Sequence, residues 1–345
     1  MNRKKFLLSS LSLLGTSGIG ALPVALEGGK KKKTVLRRPP CLRRGDTIGI
    51  TCPAGYITPA DTEPAVRQLE AWGFRVLLGN SVGKRDFTLG GTDEERRVDF
   101  QQMLDDRKIR AIMCARGGYG AVRIIDRLKF DRFLAHPKWI IGFSDITTLH
   151  CHIHANFGIA SLHAKMCNSF PADIATATPG QLDGIESIRQ CLAGETIVYN
   201  APAHPGNRIG KASGVLIGGN LSILENLSGS RSDIHTDGKI LFVEDTGEYL
   251  YNIDRMFWNL ERSGKLRRLA GLVIGGFNIK KEESPDDTFG SDVVTIVNEK
   301  TGRYRYPVCF DFPVGHQKNN MALQCGVRHQ LIVGENGTQL HSKKQ

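Results

Sequence analysis

Residues 138–147 read Lys-Trp-Ile-Ile-Gly-Phe-Ser-Asp-Ile-Thr, an apolar run that ends at a glycine and passes at once into a helical pattern. A strand that turns sharply into a helix can hold a serine hydroxyl above the sheet, beside the backbone N–H groups of the helix N-terminus. Acyl-transfer enzymes use this turn because it presents the nucleophile and helps to stabilise the oxyanion. Ser144 is therefore predicted as a nucleophile. The alternative is that Ser144 and Asp145 only cap the helix, since Ile146 replaces the last glycine of the usual motif.

Strand-like and helix-like segments alternate around this turn. Short buried runs at 47–52, 109–114 and 139–142 are separated by helical patterns, one of which opens with a capping-box pair, Thr92 and Glu95. Such alternation predicts an α/β fold with a parallel sheet and right-handed crossovers. The pattern weakens in a proline-containing stretch and resumes after it. We divide the chain into a leader and basic tether (1–44), an N-terminal α/β domain with the nucleophile (45–170), a linker (171–208) and a C-terminal α/β domain (209–345).

The positive charge of the chain is concentrated at its N-terminus. Residues 1–44 hold 11 of the 46 Lys and Arg and one of the 35 acids, so the remainder is nearly neutral. A surface that follows a nucleic-acid backbone is excluded on this basis. Arg3, Lys4 and Lys5 precede a moderately apolar stretch at 6–19, as in an export signal. We predict a periplasmic protein, or a cytoplasmic one if the leader is not a working signal. No later stretch reaches the roughly 18 apolar residues that span a bilayer.

Two further strand ends carry polar groups that could complete a hydrolytic site. Glu244 and Asp245 follow the apolar run Leu241-Phe242-Val243, and His316 follows a strand and a glycine. A serine nucleophile needs a base, and the base needs an acid that fixes its tautomer. The alternatives are structural: Asp245 or Glu248 capping the next helix, Glu244 pairing with an arginine such as Arg255, and His316 as an ordinary loop histidine.

The glycine turn at 116–120 and the histidines at 150–154 are the other candidate features. Arg-Gly-Gly-Tyr-Gly joins a strand to a helix, so the backbone N–H groups of Gly117 and Gly118 can point at an anion. The alternative is a tight turn that needs positive φ. His150 and His154 share a helix face, as metal ligands do, but the glutamate of a zinc protease motif is missing. We predict no metal and no cofactor, and a polar or partly buried histidine face.

Taken together, six blocks of sequence resemble those of the serine LD-carboxypeptidases, also called murein tetrapeptide carboxypeptidases. The resemblance runs in order from about residue 46 to 333. The blocks are Ala-Arg-Gly-Gly-Tyr-Gly (115–120), Gly-Phe-Ser-Asp-Ile-Thr (142–147), Gly-Gly-Asn-Leu (218–221), Val-Glu-Asp (243–245) with Glu248, Asp-Arg (254–255) and Gly-His (315–316).

The resemblance implies a flavodoxin-like N-terminal domain, a smaller α/β C-terminal domain and an active site between them. It implies a Ser–His–Glu triad of Ser144, His316 and Glu244, with the N–H groups of Gly117 and Asp145 as the oxyanion hole. The implied substrate is a muropeptide whose terminal D-alanine is released, and the implied assembly is a homodimer. Two alternatives stay open: an immunity peptidase of the same family that cleaves peptide–nucleotide antibiotics, and a non-catalytic periplasmic binding module.

Overall fold

The computed structural model describes residues 35–281 and 288–342, so residues 1–34 of the predicted leader and tether lie outside the described part. The end of the predicted tether belongs to the fold. Arg37 forms a backbone bridge with Ile159, and the Trp139 indole N–H donates to the Pro40 carbonyl oxygen at 3.1 Å. Among the helices of the described residues, none combines the length and apolar character needed to cross a membrane.

The strands of the described residues form two sheets. Their bounds are β1 Thr47–Thr51, β2 Arg75–Leu78, β3 Ile109–Cys114, β4 Trp139–Gly142, β5 Ser161–His163, β6 Val198–Ala201, β7 Gly210–Asn220, β8 Ile240–Glu248, β9 Gly271–Ile279, β10 Val308–Cys309, β11 Leu323–Cys325, β12 Arg328–Gly334 and β13 Gly337–Ser342.

The helices connect and cover these strands. Their bounds are α1 Pro59–Ala71, α2 Asp93–Asp105, α3 Ala121–Ile124, α4 Asp131–Ala135, α5 Thr147–Phe157, α6 Pro179–Ala193, α7 Leu221–Asn226, α8 Leu250–Arg262 and α9 Val293–Thr301. The predicted capping box at the start of α2 is confirmed: the Glu95 N–H donates to Thr92 Oγ1, and the Thr92 N–H donates to the Glu95 carboxylate. This pair satisfies two N–H groups that the first helical turn leaves without partners.

The first sheet has the order β11-β5-β4-β3-β1-β2. Strands β1 to β5 pair in parallel, and their order 2-1-3-4-5 is that of a flavodoxin-like doubly wound sheet. Trp139 and Ile141 lie in one hydrophobic cluster and Ile140 in another, as expected of a strand buried on both faces. The predicted parallel N-terminal domain is confirmed.

The second sheet has the order β10-β9-β8-β7-β12-β13-β6 and is mixed. Strands β7 to β10 pair in parallel, whereas β12, β13 and β6 add antiparallel pairs. A second α/β domain was predicted and is present, but it is not the smaller one in strand number. The difference comes from this antiparallel extension of β12, β13 and β6.

Each sheet and the helices that cover it form one lobe, and chain segments cross between the two lobes. Strand β11 lies beyond residue 209 in the chain, yet it pairs with β5 at the edge of the first sheet. Residues 171–208, predicted as a linker, instead contribute to both lobes. Ile185 and Ile188 of α6 pack in the core of the first sheet, and β6 pairs with β13 in the second. The linker prediction is wrong in this respect because the buried face of α6 completes the first core.

Candidate active site

Ser144 lies in a sharp turn between β4 and α5, at the carboxyl end of the first sheet. It is half-buried, and its φ of 61° is in the left-handed region that non-glycine residues seldom adopt. Gly142 permits the turn, because a Cβ at this position would lie 2.9 Å from the Ile146 side chain. A strained serine at a strand–helix junction is the geometry of a nucleophile turn, and such strain is typical of functional sites.

The glycine turn after β3 lies directly against Ser144. A Cβ at Gly117 would be 3.0 Å from Ser144 Cβ and 3.3 Å from Ser144 Oγ, so only a glycine leaves the backbone this close to the hydroxyl. Gly118 and Gly120 have φ values of 93° and 134°, as the alternative interpretation of a tight turn that needs positive φ predicted. The turn that the sequence singled out as an anion nest is therefore next to the candidate nucleophile.

Asp145 connects these two turns. Its Oδ2 accepts a hydrogen bond of 2.8 Å from the Ala121 N–H, the first residue of α3 after the glycine turn. Burial raises the pKa of Asp145 to about 6, against the opposing effects of this hydrogen bond and of Arg96. Neither Ser144 nor Asp145 caps its own helix with its side chain, so the capping alternative is wrong. Asp145 instead fixes the position of the glycine turn relative to Ser144.

His316 and Glu244 form a hydrogen-bonded pair. Glu244 is fully buried in β8, and its Oε2 lies 2.6 Å from His316 Nδ1. Gly315 makes this approach possible, because a Cβ there would lie 2.4 Å from Glu244 Cβ. An imidazole held at Nδ1 by a carboxylate has a fixed ring orientation and a preferred tautomer, which leaves Nε2 as the atom that can exchange a proton with a third group.

The neighbouring acids have structural partners. Asp245 accepts hydrogen bonds from the Ser222 and Thr246 N–H groups and from the Asn220 amide. Glu248 accepts from the Asn252 side chain at the start of α8. Asp245 is thus bonded at the start of α7 and Glu248 at the start of α8, and Glu244 is the acid that contacts His316.

The Ser144 turn and the His316 pair meet through Phe143. Its ring centroid is 4.9 Å from that of the His316 imidazole, and it immediately precedes Ser144 in the chain. No hydrogen bond joins Ser144 Oγ to His316 among the residues that the structure describes. Catalytic hydrogen bonds are often long before substrate binds and shorten in the complex. The structure thus pairs Glu244 with His316 and places the residue before Ser144 against the imidazole, but it forms no bond between Ser144 and His316.

A cleft of about 500 Å³ lies over this site, between the lobes. It is lined from the first lobe by Phe143, Lys165 and residues 168–171, and from the second by Thr246, Asn278 and residues 315–318.

A hydrogen bond from Thr147 also joins the two lobes. Its Oγ1 accepts a 3.0 Å hydrogen bond from the Asn220 N–H at the end of β7. This contact between distant residues could not be predicted from the sequence, in which a polar residue at the start of α5 is the only signal of it.

The histidines at 150–154 have separate surroundings. His150 Nε2 lies 2.9 Å from the Gly142 carbonyl oxygen, and His152 Nδ1 lies 2.9 Å from Ser232 Oγ. Burial lowers the pKa of both His150 and His154 to about 4, which favours their neutral forms. Within residues 35–281 and 288–342, no group of three or more His, Cys, Asp or Glu is arranged to hold a metal ion.

Comparison with known families identifies both lobes. Residues 48–164 match the model of the LD-carboxypeptidase N-terminal domain, and residues 213–331 match that of the LD-carboxypeptidase C-terminal domain.

Individual relatives cover nearly the same span. The probable murein peptide carboxypeptidase of Bacillus subtilis is 33% identical over 304 residues, which cover 86% of this chain and 92% of the relative. The microcin C7 self-immunity protein MccF of Escherichia coli is 27% identical over 317 residues, 82% of this chain and 90% of that protein. The crystal structure of muramoyltetrapeptide carboxypeptidase from Oxalobacter formigenes superposes with a TM-score of 0.75 at 26% identity, over 86% of this chain and 99% of that one.

Proposed function

The chain belongs to the LD-carboxypeptidase family, and from this membership and the site geometry we propose that it is a serine peptidase that releases the terminal D-alanine of peptidoglycan tetrapeptides. Carboxypeptidase activity is the property of the family. The serine mechanism, the tetrapeptide substrate and the L,D-bond as the point of cleavage are our proposal for this chain.

In the proposed mechanism, Ser144 Oγ attacks the carbonyl carbon of the scissile bond and gives its proton to His316 Nε2. Glu244 holds the imidazole through Nδ1 and stabilises the imidazolium that forms. The N–H groups of Gly117 and Asp145 would donate to the oxyanion of the tetrahedral intermediate. His316 then protonates the amine of the leaving D-alanine, and a water molecule hydrolyses the acyl-enzyme by the same route.

One observation carries the proposal: a fully buried carboxylate orients His316 at the cleft that is also lined by Phe143, the residue before Ser144. Burying the Glu244 carboxylate costs free energy of desolvation, which its hydrogen bond to His316 offsets. A binding module that holds a carboxylate with the glycine turn needs no oriented imidazole. The serine peptidase is therefore favoured over the non-catalytic binding module.

The immunity-type activity is the second candidate, because MccF is among the relatives that match most of the chain. It would use the same three residues on a peptide–nucleotide conjugate. The direct test incubates the full chain with a panel of murein tri-, tetra- and pentapeptides and with an aminoacyl sulfamoyl nucleoside. Release of D-alanine from the tetrapeptide alone supports our proposal, cleavage of the conjugate alone supports the immunity function, and no turnover of either supports the binding module.

We further propose that the protein is exported to the periplasm and acts as a homodimer on muropeptides there. The basic residues at positions 3–5 and the apolar stretch at 6–19 support export. Fractionation of cells that express the full chain, together with light scattering of the purified protein, tests both statements. Cytoplasmic retention would instead place the substrate among muropeptide fragments inside the cell.

Asp145 provides a prediction on the oxyanion hole. Asp145→Ala removes the hydrogen bond to the Ala121 N–H, so the glycine turn should move relative to Ser144, and kcat should fall about 10- to 100-fold, less than the 10²–10³ typical of deleting an oxyanion donor. Asp145→Asn is the matched control, because its amide oxygen can still accept this bond, and we expect it to retain most of the activity. Equal losses in both variants would mean that the charge, and not the positioning, matters.

A further inference from the structure

A carboxypeptidase must distinguish the free carboxylate at the end of its substrate from an internal peptide group. Carboxylates are bound in proteins by cationic side chains or by convergent N–H groups. In this chain the strongest candidate for that role is Lys165, two residues beyond β5, the strand that pairs with β4 and thus lies beside the Ser144 turn.

The position of Lys165 suits a side chain that binds the substrate. The residue is 5% exposed, and it lines the cleft together with His316 and Phe143. The next residue, Met166, contacts the same glycine turn as Ser144, because its Cε would be 3.2 Å from a Cβ at Gly117. A largely buried cation therefore faces the space in which the proposed substrate must lie.

The other buried lysines of the described residues all have acceptors. Lys138 donates to the carbonyl oxygens of Met103 and Asp106, and Lys265 and Lys300 each pair with aspartates, Asp233 and Asp254 respectively. Lys165 has neither an ion pair nor a hydrogen bond among the residues that the structure describes. Most of Lys165 is buried, while its ammonium has no partner in the described part of the chain and borders the cleft, so it can accept an external anion there.

The space for the Lys165 side chain depends on a glycine that lowers the stability of a neighbouring helix. Gly184 lies in the middle of α6, where glycine destabilises a helix by about 0.5–1 kcal/mol relative to alanine. A Cβ at Gly184 would lie 2.7 Å from Lys165 Cε and 2.6 Å from the Asn320 carbonyl oxygen. Burial lowers the pKa of Lys165 to about 8, so the amine remains mostly protonated at neutral pH.

We propose that the Lys165 ammonium binds the α-carboxylate of the terminal residue that the enzyme releases. This inference rests on the proposed function, because it assigns the residue that makes the enzyme a carboxypeptidase. Lys318 is the other cation on the cleft, but it is exposed, and its interaction with a carboxylate would be screened by solvent. The buried lysine should therefore dominate recognition of the carboxylate.

The test compares a murein tetrapeptide with its C-terminal carboxamide, in which an NH₂ group replaces one carboxylate oxygen and the end group has no charge. The enzymes are the wild type, Lys165→Met and Lys318→Met, and the readout is kcat/KM for each substrate. We expect the wild type to prefer the acid. Lys165→Met should lose about 30- to 100-fold on the acid, as expected for a charge-assisted hydrogen bond, with little change on the amide, so that discrimination disappears. Lys318→Met should keep most of the discrimination.

Several results would overturn the assignment. Equal losses on acid and amide would show that Lys165 acts on the chemistry or the fold, and collapse of the discrimination in Lys318→Met would give the role to Lys318. Thermal unfolding checks the fold, and Lys165→Met should melt no lower than the wild type because it removes a cation that has no partner among the described residues. Acid and amide affinities measured by calorimetry in a Ser144→Ala background separate this inference from the proposed function. A wild type that neither cleaves nor binds the tetrapeptide would refute both, whereas turnover with unchanged discrimination in Lys165→Met would refute only this inference.

Discussion

Ser144→Ala is expected to abolish the release of D-alanine from a murein tetrapeptide while the protein stays folded. Loss of a serine nucleophile lowers kcat by about 10⁶-fold in a well-studied serine protease, where His and Ser act as a unit. The methyl group of alanine fills the space of Cβ next to Gly117, so the contacts of the turn are kept. Release of D-alanine measured by a coupled assay, beside the thermal unfolding midpoint of both proteins, checks the prediction.

A conservative control exists at the adjacent helix. Thr148→Ser changes a buried hydroxyl-bearing residue four positions after Ser144 and should leave kcat within a few-fold of the wild type. EDTA should not change the wild-type rate, because the proposed mechanism uses no metal. Turnover by Ser144→Ala, or loss of turnover with EDTA that zinc restores, would contradict the assignment of Ser144 and reopen a metal role for His150 and His154.

The site could be predicted from the sequence where the chemistry is local. The turn at Ser144 is visible because a buried strand, a glycine and a helix follow one another without a gap, and the structure places them in that order. The parallel direction of β1 to β5 follows from the alternation of strands and helices. These features depend on residues within about one strand–helix unit of each other, where local patterns are most informative.

Long-range features could not be predicted in this way. β11 is three residues long and pairs with β5 across about half of the chain, so its partner has no local signal. The choice between Glu244 and Asp245 also depends on contacts: adjacent residues of a strand point to opposite faces, and only the tertiary structure decides which face meets His316. The resemblance to a family selected Glu244, and the hydrogen bond to Nδ1 agrees with that choice.

Lys165 illustrates the same limit. Its place after a short apolar strand suggests at most that it lines a cleft, and no residue for the terminal carboxylate could be named from the sequence. Its importance depends on the absence of an acceptor among the described residues around it and on a helical glycine that lies 19 positions later in the chain. Both are properties of the packed structure, because burial and pairing are set by contacts between α6 and the end of the first sheet.

Glu244→Gln should lower kcat by about 10⁴-fold with little change in KM, as expected when a triad acid no longer sets the histidine tautomer. The amide has two orientations, and each is unfavourable. If its NH₂ group faces His316 Nδ1, the imidazole must accept there and carries its proton on Nε2, so it cannot take a proton from Ser144. If its oxygen faces Nδ1, the NH₂ group takes the place of Oε1, a buried atom that has no partner among the described residues.

The matched control is Glu248→Gln, the same chemical change on the same strand. Its carboxylate contacts the Asn252 side chain at the start of α8, so we expect kcat to stay within a few-fold of the wild type. The measurement is the steady-state kcat and KM for the tetrapeptide across pH 5–9. If Glu244→Gln retained activity and Glu248→Gln lost it, the orienting acid would be Glu248. The 2.6 Å contact between Glu244 and His316 would then serve the fold and not the reaction, because a buried ion pair can be kept for specificity of packing alone.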